Sequence, residues 1–119
     1  MQYMLMFYES PEAWAARNDA RAPEYWGGWS AYVKAIDESG IRVSGAGLQP
    51  PGTSTSLRIR ANRKQVQDGP FVDTKEQLGG FFVIDVANLD AALEWAAKAP
   101  CATSGGVEVR PVLPPMPPG

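Results

Sequence analysis

Side chains able to do chemistry crowd the stretch from Asp68 to Phe82, Asp-Gly-Pro-Phe-Val-Asp-Thr-Lys-Glu-Gln-Leu-Gly-Gly-Phe-Phe. Asp68 admits two readings. As a general base in a partly apolar cleft, its pKa would be raised by burial. As a turn residue ahead of Gly69-Pro70, its carboxylate would accept backbone N–H groups. Lys75 could neutralise an anionic substrate or an enolate-like intermediate, and Glu76 could pair with Arg58 or Arg60; alternatively, Lys75 and Glu76 form a solvated turn. Asp68 and Lys75 are thus the candidate catalytic pair. Tyr8, Trp26, Arg58 and Glu76 are candidate binding groups, with Tyr8 expected to aim its hydroxyl at the cleft and Trp26 to wall it. Gly79-Gly80 permits close backbone approach where an apolar run begins.

The 119-residue chain has no histidine and one cysteine, Cys101. Imidazole base chemistry, Ser-His-Asp and Cys-His nucleophile systems and His/Cys zinc sites are therefore excluded. Chemistry is left to carboxylates, Lys, Arg, Tyr and backbone groups, and neither metal nor cofactor is expected. A lone cysteine fits a reducing, cytoplasmic setting, and Cys101 reads as a structural thiol. Eleven basic and thirteen acidic residues, for a net charge of −2, are spread along the chain and suggest no direct nucleic-acid partner. The apolar opening from Met1 to Tyr8 has no basic n-region and is cut by Glu9-Ser10-Pro11, so it reads as neither signal peptide nor membrane span.

The elements that must position these groups follow from periodicity. Gln2 to Tyr8 is a strand apolar on both faces. Ser10 caps a short helical turn over Pro11 to Arg17. Trp26, Trp29, Val33 and Ile36 mark a helix over Glu24 to Ser39, with Tyr25 and Tyr32 widening its apolar stripe and Gly40 stopping it. Tyr25 and Trp26, near the helix start, are placed to line a cavity mouth. Strands follow over Ile41–Leu48, with a bulge or close packing at its small residues, and over Thr53–Arg60, with Gln65–Asp68 returning after a hairpin turn. The strand Phe81–Val86 comes next. Asn88 caps a second helix ending at Pro100, with Leu89, Leu93 and Ala96, and Ala92, Trp95 and Ala99 beside them, expected on its buried side, where the alanines suggest tight packing on the sheet; an alternating strand around Val107–Arg110 closes the order. Glu108 and Arg110 read as a pair on one sheet face or at an interface. Residues 1–111 form one domain and 112–119 a proline-rich tail.

The order fits an α+β, ferredoxin-like β-α-β-β-α-β plan, an antiparallel sheet with both helices on one face. Strands apolar on both faces call for cover on the second face, and a sheet-to-sheet homodimer would supply it. The runs Leu48-Gln49-Pro50, Asp68-Gly69-Pro70-Phe71, Thr74-Lys75-Glu76-Gln77-Leu78-Gly79-Gly80 and Glu108-Val109-Arg110-Pro111 resemble those of the YCII-related, DGPF-domain proteins. The resemblance implies a dimeric α/β barrel with a cleft between sheet and helices. It implies either a small enzyme of lyase, isomerase or hydrolase type on a small polar or aromatic substrate, or a regulatory accessory module, since such proteins are often encoded beside extracytoplasmic-function sigma factors. The His–Asp pair of one branch does not carry over to a chain without histidine.

Overall fold

The computed structural model describes residues 1–116. Its elements are β1 (Gln2–Glu9), α1 (Pro11–Ala16), α2 (Ala22–Glu38), β2 (Arg42–Gly47), β3 (Thr55–Arg60), β4 (Arg63–Asp68), β5 (Gln77–Asp85), α3 (Leu89–Ala97) and β6 (Gly106–Pro111). Four strands form one antiparallel sheet in the order β2-β5-β1-β6, which is the ferredoxin-like arrangement, while β3 and β4 pair only with each other. The tail after β6 has no regular structure over Val112–Met116, and residues 117–119 lie outside the described residues.

Period-two alternation in β1 decides what each face of the sheet does. Tyr3, Leu5, Phe7 and Glu9 are buried on the helix side, and Met4, Met6 and Tyr8 are half-buried on the open side. Leu5 stands opposite Phe82 and Val109, so the same face of the neighbouring strands is apolar. Tyr32 and Ile36 of α2 and Ala92 and Ala96 of α3 close over this layer. Phe7 meets Trp29, Tyr32 and Phe82 edge to face at centroid distances of 5.1, 5.9 and 5.7 Å. The Tyr32 hydroxyl donates to the Trp95 carbonyl at 2.8 Å and ties the two helices together.

Local signals act where the sequence placed them. Ser10 Oγ accepts from Ala13 N at 3.3 Å and Asn88 Oδ1 from Ala91 N at 2.9 Å, so both N-caps form. Gly40, just past α2, has φ 69°, and Gly69 has φ 93° in the Asp-Gly-Pro turn. Glu108 and Arg110 form an ion pair at 2.6 Å. The expectation for α3 fails in one respect: Leu89 and Leu93 are exposed. The buried stripe runs through Ala92 and Ala96, about 100° round the helix from Leu93, because only alanine lets the helix sit that close to the sheet. Helix α2 also begins two residues earlier than its pattern suggested, with Pro23 in its first turn.

Between β2 and β5 the chain leaves the sheet as a β3–β4 arm. Its two-residue turn, Ala61-Asn62, has φ values of 50° and 63°, the left-handed pair of a type I′ hairpin. The chain rejoins at β5 with a bulge: Phe7 pairs with Gly80 and Tyr8 with Leu78, leaving Gly79 as the extra residue. Val43 is skipped similarly in β2. Among the described residues no helix is long and apolar enough to cross a membrane.

Neither Gly79 nor Gly80 has a positive φ, and the reason for glycine is close approach. A Cβ on Gly80 would lie 2.9 Å from the Ala46 carbonyl oxygen and 3.3 Å from Gly47 Cα. Gly80→Val is therefore expected to lower stability by about 1–3 kcal/mol by prising β2 from β5. A denaturant midpoint unchanged from wild type would show that the strands have room to part.

Candidate functional site

The alternation that buries Phe7 also buries Glu9, a carboxylate placed at the end of the apolar face. A buried carboxylate must be matched by donors. Arg17 Nη2 donates to its Oε2 at 3.1 Å, while Oε1 accepts from the Tyr25 hydroxyl and from Trp29 Nε1 at 3.2 Å. Tyr25 and Trp29 are one turn apart on α2, which puts both donors on the face turned to β1. The side chains of Arg17 and Glu9 are only 10% and 2% exposed.

Arg17 is the hub of this corner. Short α1, started by Ser10 and Pro11, ends at Ala16 and brings Arg17 back over the end of the sheet. Its Nε donates to the Tyr25 hydroxyl at 3.0 Å and its Nη1 to the Leu48 carbonyl at 2.6 Å. Its Nη2 also reaches the carbonyl of the bulged Gly79 at 3.4 Å. The guanidinium lies 4.0 Å over the Trp14 ring and 5.3 Å from the Trp26 centroid. Trp26 Nε1 in turn donates to the Arg17 carbonyl at 3.1 Å, fixing the indole at the rim.

These groups wall a cavity of about 490 Å³ between α2 and the β2–β5 backbone. Its interior is apolar, made by Phe7, Trp29, Val33 and Phe82, with Trp26 and the run Gly47–Pro50 around the mouth. Asn18 and Gln49 add neutral polar groups. The cavity's ionisable side chains are Glu9, Arg17 and Tyr25, and the first two neutralise each other. Burial, and next the hydrogen bond to Glu9, push the Tyr25 hydroxyl up to about 12, against a smaller opposing effect of Arg17. Tyr25 is thus protonated at neutral pH and acts as a donor. A second hollow of about 320 Å³ lies behind Glu9, beside Arg21, Glu24, Cys101 and Ser104. Among the described residues no group of three or more His, Cys, Asp or Glu side chains is placed to hold a metal ion.

The residues singled out from sequence are divided by the fold. Trp26 and Tyr25 line the cavity. Tyr8 points to the open side of the sheet, away from the cleft, and there lines a groove with Lys75, Glu76 and Glu108. Arg58 stacks at 4.1 Å over Phe71, and no ion pair joins Glu76 to Arg58 or Arg60 among the described residues. Asp68 ends β4 on the arm, exposed and outside the cavity; no hydrogen bond to its side chain forms among the described residues, so the expected turn cap is not made. Glu9 and Arg17 escaped the sequence reading. The signal for Glu9 was present, because Tyr3, Leu5, Phe7 and Glu9 continue one alternation.

Removing Arg17 would strand the Glu9 charge. Arg17→Met is expected to cost about 3 kcal/mol at pH 7, near the lower end for breaking a buried pair because Tyr25 and Trp29 still donate. Urea melts at pH 7 check this; a deficit below about 1 kcal/mol would mean that the pair is not what holds this corner. At high pH wild-type stability should itself depend on pH. Burial, and then the Glu9 charge, push the Cys101 thiol from 9.0 up to about 12, and Tyr25 rises from 10.0 to about 12. The unfolded chain loses these protons first, so wild-type stability should be complete below pH 9 and decline between pH 9 and 12. A flat melting temperature over that window would contradict the burial of both groups.

Comparison with known proteins agrees with the fold. A model of the YCII-related domain matches residues 1–115. An uncharacterised protein of Rhizobium meliloti (strain 1021) is 37% identical over 117 residues, covering 94% of this chain and 92% of that one. In three dimensions the chain resembles 5-chloro-2-hydroxyhydroquinone dehydrochlorinase from Burkholderia phenoliruptrix AC1100, solved in complex with 2,5-dihydroxybenzoquinone, at a TM-score of 0.55 and 13% identity over 95% of this chain and 94% of that one. The family match spans nearly the whole chain, and on it the protein belongs to the YCII-related domain family.

Proposed function

We propose that the cavity binds a small, flat, uncharged ring carrying oxygen substituents, of the hydroquinone or quinone kind. The observation that carries this is the pairing of aromatic walls with an internally neutralised Glu9–Arg17 couple. Arg17 already occupies the aromatic cage that a cationic ligand would seek. An anion finds no surplus positive charge. A ring stacked by Trp26 and Trp29 can hydrogen-bond through its oxygens to Asn18 and Gln49, and a ring hydroxyl can donate to the Tyr25 oxygen. The dehydrochlorinase with the same fold holds a compound of this shape, which supports the reading.

An enzymatic role of lyase, isomerase or hydrolase type through a carboxylate base would fall to Glu9 in this cavity. Both Glu9 oxygens already accept hydrogen bonds, one of them from the single Tyr25 O–H, which favours binding over abstraction by a free carboxylate. A ligand-sensing accessory module is the second reading that this observation favours. We also take the chain to be a cytoplasmic homodimer. The free, buried Cys101 supports a reducing compartment, and the half-buried Met4, Met6, Tyr8 and Phe81 on the open sheet face support face-to-face pairing.

Titrating the protein at pH 7 with neutral hydroxylated benzenes, read by tryptophan fluorescence, tests the ligand class, with 2,5-dihydroxybenzoquinone, a vinylogous acid ionised at that pH, as the anionic control. Saturable quenching is expected with the neutral rings, weakened at least about tenfold in Trp26→Ala and unchanged in Asp68→Asn and Lys75→Ala. Absence of saturation with every neutral ring, or loss of binding in Asp68→Asn with Trp26→Ala unaffected, would overturn the assignment to this cavity.

A further inference from the structure

We propose that the cavity takes a hydroxylated ring extended by an apolar substituent about as long as a butyl chain, with the ring at the mouth and the substituent running inward beneath α2. The inference rests on the ring-binding reading above and adds the second half of the ligand. An apolar cavity of about 150 Å³ is enough to hold one benzene ring, and this one measures about 490 Å³. Its length agrees with its volume. Tyr25 and Val33 both line it, two turns of α2 apart, which is about 12 Å of helix rise. A single ring leaves much of that length empty.

Polarity is graded along the same axis. At the outer end stand Tyr25, Asn18 and Gln49, beside the mutually neutralised Glu9 and Arg17. The inner walls are Phe7, Val33, Phe82 and Trp29, and the one N–H of Trp29 is already given to Glu9. The strand register puts Gly45, Gly47 and Gly80 on the sheet face that carries Phe7 and Phe82. A Cβ on Gly47 would meet nothing within 4 Å, so the sheet leaves open space below α2 at that point. Above Gly45 the space is taken by the Phe82 ring. Arg42 lies 5.6 Å from the Phe82 centroid and pairs at 2.7 Å with Asp37, one turn past Val33. That ion pair joins β2 to α2 and closes the inner end. Ring oxygens at the mouth find partners, whereas the reverse orientation would bury them among apolar walls without any. An alkyl chain fills the inner half, and one much longer than butyl runs into the Asp37–Arg42 bridge.

Calorimetric titration of the full chain at pH 7 with resorcinol and its 4-ethyl, 4-butyl and 4-octyl derivatives, all neutral at that pH, tests the extension. Butylbenzene serves as the probe without oxygens. 4-Butylresorcinol is expected to bind at least about tenfold more tightly than resorcinol, since each methylene buried leaves water, and the octyl compound to gain less than about threefold more. In Val33→Phe, which fills the inner end, the ratio of butylresorcinol to resorcinol affinity should fall below about threefold. Equal binding of resorcinol and 4-butylresorcinol by the wild type overturns the extension and leaves the ring class intact. A gain that continues at the same rate to the octyl compound, or a butyl advantage undiminished in a folded Val33→Phe, overturns its placement at the closed inner end. The alkyl series on the wild type decides the matter whether or not that variant folds. Butylbenzene binding as tightly as 4-butylresorcinol overturns the oxygenated-ring reading itself, and a lack of saturation with every probe overturns both.

Discussion

A carboxylate and a guanidinium buried at the end of an otherwise apolar sheet face impose most of the order in this corner of the molecule. Taking Glu9 and Arg17 out of water costs several kcal/mol each unless every oxygen and most N–H groups are matched. The fold matches them with groups from four segments: Tyr25 and Trp29 of α2, the Leu48 carbonyl after β2, the Gly79 carbonyl of β5, and Glu9 of β1 itself. Each partner is therefore fixed in position relative to the others. The bulge at Gly79 serves the same end, since a Cβ there would come within 3.0 Å of Glu9 Oε2 and 3.2 Å of Arg17 Nη2. A rigid, electrically neutral frame around an aromatic hollow is the result, and preorganisation of that kind favours binding over rearrangement.

The two faces of the sheet solve different problems. On the helix side, Phe7 and its three aromatic neighbours complete a core and leave the cavity only where α2 diverges from β2. On the other side no second layer is placed among the described residues, and Met4, Met6, Tyr8 and Phe81 are half-buried there. The arm shows the same deficit in a different place.

Much of this was legible in the sequence because local rules agreed with one another. Ser10, Asn88, Gly40 and Gly69 carry out the roles their residue types announce, and the strand and helix order leads to the ferredoxin-like plan. The site was less legible. The Asp68–Phe82 stretch looks like one functional unit in one dimension, but the arm carries Asp68 off the body while Gly79 and Gly80 enter the sheet. Lys75 and Glu76 then fall on the face opposite the cavity. Glu9 ends an apolar run in the sequence, whereas strand alternation carries it inward. Arg17 could not be paired with it from spacing alone, since the contact depends on how α1 folds back. On α3 the alanines announce the close packing that the sheet demands, and Leu89 and Leu93, equally apolar, are left exposed beside them.

The claim at the centre is that Glu9 and Arg17 act as one coupled unit that shapes the cavity. A double-mutant cycle over Glu9→Gln, Arg17→Met and the pair, read by urea unfolding at pH 7, measures that coupling directly. The account predicts that the double variant is less destabilised than the sum of the single variants by at least about 1.5 kcal/mol, because each single change strands a buried charge that the double change removes. Additivity within about 0.5 kcal/mol would contradict it, since independent groups couple by no more than that.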